Sequence, residues 1–360
     1  MKSTMGLQDI PEWVTLLVLA GQKAPSADNS QPWRFVWDGK SLSVCLDPIR
    51  AGKGLGLNHP ANLMAIGAVI ENLAQAAANI GLPADAINIR SERRDDSFAT
   101  ITLDTPIDLP ATELKSGLFG RHTNRGPFQR TSLPQSSIDQ FASMTEGPLR
   151  TVVVSDPDSH KRLSAMLRDA SEVRFQTEEI HRWLGASLRF TPDEIDRGDG
   201  LDVATLLLPP GAGGLLKLSL DWRRMSILNR FGAYKLFAFL EASMLRHAGA
   251  LILVVGPPQG GGAEVAAGRL LERLWIALND SGLAVHPYYV LSDQLYRLRA
   301  GLLASQFRKP IIDLSNRVTS FLGGGDETIF MLFRVGVPKI KNPARSRRLP
   351  TGATFVGLNT

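Results

Sequence analysis

Gly67 to Leu82 reads GAVIENLAQAAANIGL, and Gly268 to Leu283 reads GRLLERLWIALNDSGL. Laid together without a gap, Gly67 falls on Gly268, Glu71 on Glu272, Leu73 on Leu274, Ala76 on Ala277, Gly81 on Gly282 and Leu82 on Leu283. Each stretch has the periodicity of a helix and closes on glycine, which readily adopts the left-handed conformation that ends one. Two amphipathic helices can agree this far by coincidence. The alternative is a duplicated unit whose two long helices pack about a pseudo-twofold axis, as in a homodimer fused into one chain.

The surrounding sequence supports a two-part chain. Pro11 to Gln22 reads as a helix, and Arg34 to Trp37 with Leu42 to Leu46 as a hairpin turned by Asp38-Gly39. A buried helix over Ala61 to Ile80 and a strand over Ala99 to Leu103 follow, before the Pro-containing stretch Thr105 to Pro110. The second part begins in the same way, with a helix over Ser137 to Met144 and a strand over Leu149 to Val154. One long helix is expected over Ser159 to Leu188. Phe190 to Arg246 has no counterpart in the first part; it holds a Gly/Pro break at Leu208 to Gly214 and an amphipathic stretch from Trp222 to Arg246. Then come a strand at Leu251 to Val255, a glycine loop at Gly260 to Gly262, a helix over Ala266 to Asp280, and strands at Ala284 to Val290 and Ile329 to Val335.

Length and composition suit a soluble chain of about two domains: 360 residues, 44% apolar and 21% charged. No apolar run approaches the roughly 18 to 20 residues that cross a bilayer, and Met1 to Trp13 lacks the apolar segment of a secretory signal. A single cysteine, Cys45, leaves no intrachain disulfide and suits a reducing compartment, so a cytoplasmic location is expected. The net charge of +5 is mostly dispersed, with denser runs at Arg121 to Arg130 and Lys339 to Arg348. Alone, such runs are solvated faces. Neither is interleaved with aromatics, so no nucleic-acid partner is expected, and no membrane partner either.

The histidines are scattered without metal-ligand spacing, so no metal is expected. The motifs G-x-S-x-G and G-x-x-x-x-G-K-S/T are absent. Gly52, Gly54 and Gly56 read as a turn, and the glycine triplets at Gly260 and Gly323 as loops. Two motifs remain. Ala24 to Phe35 reads APSADNSQPWRF, a loop dense in small hydrogen-bonding groups that runs into a strand. Arg121 to Phe128 reads RHTNRGPF; in an extended segment Arg121, Thr123 and Arg125 project to one side, a set suited to a phosphate.

The first motif resembles the P-S-x-x-N-x-Q-P-W signature of the FMN-dependent nitroreductase superfamily. The second resembles that family's R-x-S/T-x-R/K-x-F phosphate motif, with Pro127 as one extra residue before Phe128. Arg345 to Pro350, RSRRLP, is similar to the K/R-S-R-x-P segment that closes on the flavin phosphate. In ordinary members the arginine motif precedes the P-S-x-x-N loop, and each site takes one motif from each subunit. Here the order is reversed, so each half supplies what the other lacks and one FMN per chain is implied. This resembles the fused single-chain branch typified by mycobacterial Acg.

The resemblance implies an α+β nitroreductase fold of two unequal halves, residues 1–115 and 116–360, related by a pseudo-twofold axis. Residues 190–246 would be an inserted helical segment able to act as a lid, and 340–360 a C-terminal arm. It further implies that Arg121, Thr123, Arg345 and Arg347 hold the phosphate, with Arg348 as a substitute in register. Arg125 would lie near flavin N1/O2. Pro25, Ser26 and Asn29 would reach across the pseudo-interface, with Gln31 and Trp33 fixing the loop. Pro287, Tyr288, Tyr289 and Val290 would lie along the isoalloxazine; Val290 replaces the family's glycine and puts the usual backbone bond to N5 in question. Tyr288, Tyr289 or Trp222 could wall the pocket, or simply pack.

No catalytic side chain is required, because the flavin itself would pass hydride from NADPH or NADH to a small organic acceptor. Two other functions fit the same residues. A closed lid would make the protein an FMN store without turnover, and a biosynthetic flavin oxidase or dehydrogenase would act without NAD(P)H. A small-molecule substrate is expected, with the chain a monomeric pseudo-dimer or a homodimer.

Overall fold

The computed structural model describes residues 10–53, 56–83, 86–94, 97–102, 117–208, 211–258 and 262–357. Gly54, Thr105 to Pro110 and Gly260 lie outside them. In the amino-terminal half, α1 (Glu12–Gly21) leads to a hairpin of β1 (Trp33–Trp37) and β2 (Ser41–Leu46). The Asp38 carboxylate turns that hairpin by accepting from the amides of Lys40 and Ser41, at 2.9 and 2.6 Å. Next come α2 (Pro48–Gly52), α3 (Pro60–Asn79), β3 (Ile87–Arg94) and β4 (Ser97–Thr102). Pro60 starts α3 where its missing N–H costs nothing, and His59 caps it.

The carboxy-terminal half begins with α4 (Gln135–Ala142), β5 (Thr145–Glu146), β6 (Leu149–Val154) and α5 (Pro157–Phe175). A run of short elements follows: α6 (Glu178–Ser187), β7 (Leu188–Arg189), α7 (Pro192–Asp196), β8 (Leu201–Asp202), α8 (Ala212–Ser219), α9 (Trp222–Arg230) and α10 (Ala233–Ser243). Then β9 (Ala250–Gly256), α11 (Ala263–Asp280), β10 (Ala284–Tyr288), α12 (Val290–Arg299), α13 (Ser305–Phe321) and β11 (Thr328–Gly336) complete the second sheet. The chain finishes with α14 (Thr351–Thr354) and β12 (Phe355–Gly357).

The two halves repeat one topology. The first sheet runs β12-β1-β2-β4-β3 and the second β5-β6-β9-β11-β10. Strands β1, β2, β4 and β3 answer to β6, β9, β11 and β10, with every neighbouring pair among them antiparallel. Helix α3 follows β2 and precedes β3, as α11 follows β9 and precedes β10. The α+β class and the two unequal halves are therefore features of the chain itself.

What the connections carry makes the halves unequal. A short turn joins β1 to β2 and only two residues separate β3 from β4, whereas α5 to α10 lie between β6 and β9, and α12 and α13 between β10 and β11. Of these, α5, α10, α12 and α13 cover the second face of the second sheet. Every residue of β9 is accordingly buried, while β1 alternates between buried and half-buried. The second sheet has two cores: one faces α11 through Leu270, Leu274 and Phe333, and the other faces α5, α12 and α13 through Leu163, Leu291 and Leu314.

Helices α3 and α11 pack directly on each other across the two halves, and the glycines matched in sequence meet at the contact. A Cβ on Gly67 would lie 2.9 Å from Gly268 Cα and press into the Val265 carbonyl. A Cβ on Gly268 would lie 2.8 Å from Met64 Cα and press into the Met64 carbonyl. Val265 stands three residues before Gly268 as Met64 does before Gly67, so the contact is reciprocal, as a twofold axis requires. Each core also takes a residue from the other half: Val265 joins the amino-terminal core, and Met64 the α11 core.

Several sequence expectations need correction. The single helix over Ser159 to Leu188 is two, because α5 ends at Phe175 and α6 starts at Glu178. Trp222 to Arg246 is likewise broken, reversing at Gly232 between α9 and α10. The strand expected to reach Val290 stops at Tyr288, and Val290 begins α12. Gly52 is the last residue of α2 rather than part of a turn. The C-terminal arm returns to the first half: β12 pairs in parallel with β1, Phe35 opposite Phe355.

Gly67→Ala is expected to destabilise the protein by about 1–3 kcal/mol, because the added methyl has no space. Helix propensity alone would favour alanine by about 1 kcal/mol. Gly213→Ala, in α8 with open space around its Cα, should be neutral or mildly stabilising. Urea unfolding of both variants checks this, and equal midpoints would contradict a close helix contact at Gly67.

Candidate functional site

The loop before β1 is a clasp. Asp28, Asn29 and Gln31 all have positive φ (46°, 59° and 50°), a conformation tolerated by Asp and Asn and uncommon for Gln. The Gln31 amide donates to Ser26 Oγ at 2.9 Å, which closes the loop on itself. Buried Asn29 donates from Nδ2 to Gly200 O and Arg347 O, both at 2.8 Å, and its Oδ1 accepts from Arg348 at 2.7 Å. Buried Gln31 donates to Gly198 O at 2.8 Å and accepts from the Leu349 amide at 3.0 Å. Two side chains thus tie together the loop, the inserted segment and the C-terminal arm. Gly198 permits the approach, since a Cβ there would lie 2.6 Å from the Arg348 carbonyl carbon.

The RHTNRGPF segment is held between α11, β10 and the chain after β11. The His122 amide donates to Asn279 Oδ1 (2.8 Å), Trp275 Nε1 donates to His122 O (3.0 Å) and the Asn124 backbone amide donates to Val285 O (2.8 Å). Arg121 and Arg125 then both reach the clasp loop. Buried Arg121 donates to Lys23 O at 2.7 Å, pairs with Glu272 at 2.9 Å and lies over the Trp275 ring. Half-buried Arg125 faces Thr205 of the insertion at 3.4 Å and the Asp28 carboxylate, which Trp183 Nε1 holds at 2.7 Å.

Lys23, Arg121, Arg345 and Arg348 form one cluster. Arg348 shares the Lys23 carbonyl with Arg121, and Arg345 donates to Gly120 O at 3.2 Å. The cluster grades from buried Arg121, through half-buried Arg348, to exposed Arg345 and Lys23. Burial first, then mutual repulsion, lowers the pKa of Lys23 and Arg345, and Arg348 is pushed down to about 9. Glu272 answers this charge from α11. Burial pushes its carboxyl up to about 7, while Arg121 and Arg348 pull the other way. Cations that lower one another's pKa are a standing site for an anion.

The other positions separate. Arg347 turns outward to pair with Asp196 at 2.8 Å, and its sequence neighbour Arg348 occupies the cluster. Thr123 is half-buried. Tyr288 packs on His286, ring centroids 4.3 Å apart, and burial raises its pKa despite Arg334 and Arg125. Tyr289 faces the other way, toward His59 and a small cavity shared with Pro60 and Tyr296. Trp222 packs on His181. Pro25 and Pro287 are half-buried. Lys23, Glu272, Asp28, Trp183 and Thr205 were not singled out as site residues in the sequence. Glu272 did stand out as the repeat partner of Glu71, but a repeat position carries no sign of its ionic partner.

That pairing also explains why the pseudo-twofold makes one such cluster. Glu71 is the counterpart of Glu272, yet it is bound bidentately by Arg273, at 2.9 Å to each oxygen, with Arg269 at 3.4 Å. Both arginines also pair with Glu146, Arg273 at 2.8 Å. Glu146 lies between α4 and β6, the topological counterpart of the clasp loop between α1 and β1. Acids and bases there satisfy one another, which leaves no excess charge for an anion.

No family model matches the chain. An uncharacterised protein, MT1398 of Mycobacterium tuberculosis (strain CDC 1551 / Oshkosh), is 23% identical over 344 residues, 92% of this chain and 47% of that protein. The chain therefore spans about half the length of the curated relative it matches. Among solved structures it is similar to the FMN-dependent nitroreductase NfnB from Mycobacterium smegmatis in complex with NADPH. Identity there is 18%, covering 66% of this chain and 94% of that one, with a TM-score of 0.37. A BluB-like flavoprotein from Clostridium difficile 630 gives 13%, 68%, 97% and 0.37, and an iodotyrosine deiodinase bound to FMN and 3-iodo-L-tyrosine gives 14%, 65%, 94% and 0.36. TM-scores this low do not establish a shared fold; the two-half architecture rests on the strand orders above. Among the described residues no helix is long and apolar enough to cross a membrane, and no cluster of three or more residues has metal-ligand character.

Glu272 gives the site a pH signature. Its folded pKa of about 7 exceeds the ordinary 4.5, so between those values the folded state holds more protons than the unfolded one. Stability must then fall as pH rises through that window. Glu272→Gln, which stays neutral, is expected to flatten the fall in melting temperature between about pH 5 and 8. Parallel curves for the two proteins would contradict a buried, titrating Glu272.

Proposed function

We propose that the chain is a nitroreductase-like flavoprotein that binds one FMN at the Lys23–Arg121–Arg345–Arg348 cluster and takes its electrons from NADPH or NADH. The observation that carries the reading is that cluster, whose charge Glu272 only partly offsets. The donor set fits the group: guanidiniums and an ammonium, graded from buried to exposed, suit a phosphate that enters from solvent. The order of the motifs and the neutralised counterpart around Glu71 support a single site per chain.

In this reading Arg121, Arg345 and Arg348 bind the phosphate, with Lys23 at its rim and Thr123 beside them. When bound, FMN supplies hydride acceptance and donation at its ring, so no side chain has to act as acid or base. Arg125 contributes fixed positive charge, which favours the electron-rich form of that ring. Asn29 and Gln31 act by positioning, since they fix Arg348 and the arm against the loop. Pro25, Ser26, Pro287 and Tyr288 remain proposed lining residues, and Tyr289 a supporting one. NADPH is named as reductant on the strength of the smegmatis neighbour, which was solved with it; the acceptor is a small organic molecule.

A second reading, storage of flavin without turnover, is favoured by the clasp. Asn29 and Gln31 bind the inserted segment, Asp28 is held by Trp183 on α6 just before it, and Thr205 lies against Arg125, so the insertion covers this side of the site.

Arg121→Ala is expected to weaken FMN binding by about 1.5–3 kcal/mol, roughly ten- to a hundredfold in Kd. Arg347→Ala, whose guanidinium pairs with Asp196, should change it little. Titration followed by flavin fluorescence measures both, and equal affinities for Arg121→Ala and the parent would refute the phosphate assignment. Anaerobic addition of NADPH to the flavin-loaded protein separates the two functions. Bleaching of the visible band supports the reductase, whereas bleaching by dithionite alone supports storage.

A further inference from the structure

The inserted segment carries a surface that the proposed function does not use. Helices α9 and α10 form a hairpin that reverses at Gly232, and Phe231 at its tip is 86% exposed. Ile227, Leu236, Phe239 and Leu240 are each more than half exposed, as is Leu218 on α8. At about 100° per residue, Ile227, Phe231 and Leu228 fall within one arc of α9 that also holds Arg223, Arg224 and Arg230. On α10, Leu236, Phe239 and Leu240 share an arc with Lys235. The buried residues lie outside these arcs: Met225 on α9, and Ala238 and Ala242 on α10.

Charge narrows the choice of partner. Residues 212–247 hold six lysines and arginines against two acids, Asp221 and Glu241, in a chain whose net charge is only +5. Glu241 is occupied by Arg174 and Ser171, and Asp221 caps α9. Arg223, Arg224 and Arg230 are exposed, and among the described residues none of them forms an ion pair. A second copy docked face to face would bring these cations against themselves. Phe231, at the reversal between the two helices, is almost fully in solvent and projects instead of lining a groove. A fluid interface can accept such a shape without a complementary surface, whereas a folded protein partner would need one.

We propose that the α9–α10 hairpin docks on an anionic lipid surface, with Phe231, Ile227, Leu236, Phe239 and Leu240 entering the interface and Arg223, Arg224, Arg230 and Lys235 facing the headgroups. Apolar side chains interleaved with basic ones on one face are the pattern of helices that lie in a membrane interface. The proposal goes beyond the composition, from which no membrane partner is expected. The hairpin is anchored on α6 beside the clasp: the Trp222 ring of α9 packs on His181, ring centroids 5.4 Å apart, and Trp183 of the same helix as His181 bonds Asp28. Docking would therefore set the covered side of the site toward the lipid.

The test is co-sedimentation of the full chain with vesicles of phosphatidylcholine alone or with added phosphatidylglycerol. The bound fraction is expected to rise at least tenfold with the anionic lipid and to fall as salt is raised. It should also fall at least tenfold in Phe231→Ser/Phe239→Ser, whose melting temperature should match the parent because both side chains are already in solvent. No binding to anionic vesicles at low salt, or binding unchanged in the double variant, would overturn the proposal. So would a lipid-free dimer in light scattering that the double variant abolishes, since the face would then belong to a second copy.

Discussion

Two helices can approach closely only where both give up their side chains, and here that happens at Gly67 and Gly268. The clash that each glycine avoids is with the carbonyl three residues before the other, so the constraint is symmetric. Everything at the pseudo-interface follows from it. Once α3 and α11 are fixed together, Glu71 and Glu272 are buried on either side of the contact, and each half's core receives a residue from the other. A buried carboxylate needs a cation, and the two are answered differently.

Around Glu71 the answer is local: Arg269 and Arg273 of α11 and Glu146 close an ionic network. Around Glu272 the answer comes from far along the chain, from Arg121 and Arg348, and it leaves positive charge in excess. The clasp side chains Asn29 and Gln31 hold that excess in place by satisfying backbone groups of the insertion and the arm. Symmetric in its scaffold, the chain is asymmetric in its charge, and the proposal of one anion site per chain rests on that asymmetry.

Much of this was legible in the sequence because it depends on local pattern. The glycine register of the two long helices, the Asp-Gly hairpin and the buried β9 run are matters of periodicity and turn chemistry. The helix breaks at Gln176-Thr177 and Gly232 were missed, since an amphipathic pattern continues through a break when both sides face the same core. The Arg347–Arg348 choice was also out of reach. Adjacent arginines on an irregular arm have no period, and which one turns inward is decided by Asp196 and Asn29, each more than 140 residues away in sequence. The insertion's lack of a counterpart in the first half was legible, but its exposed apolar hairpin tip was not, because exposure depends on what packs on the other face.

The account stands or falls on one flavin site per chain. Titrating FMN into flavin-free protein at concentrations well above Kd, with flavin fluorescence and calorimetry read together, counts the sites directly. One FMN per chain is the expected result. Two per chain would mean that the Glu71 side is also a working site, and no saturable binding would mean that the cation cluster serves some other anion.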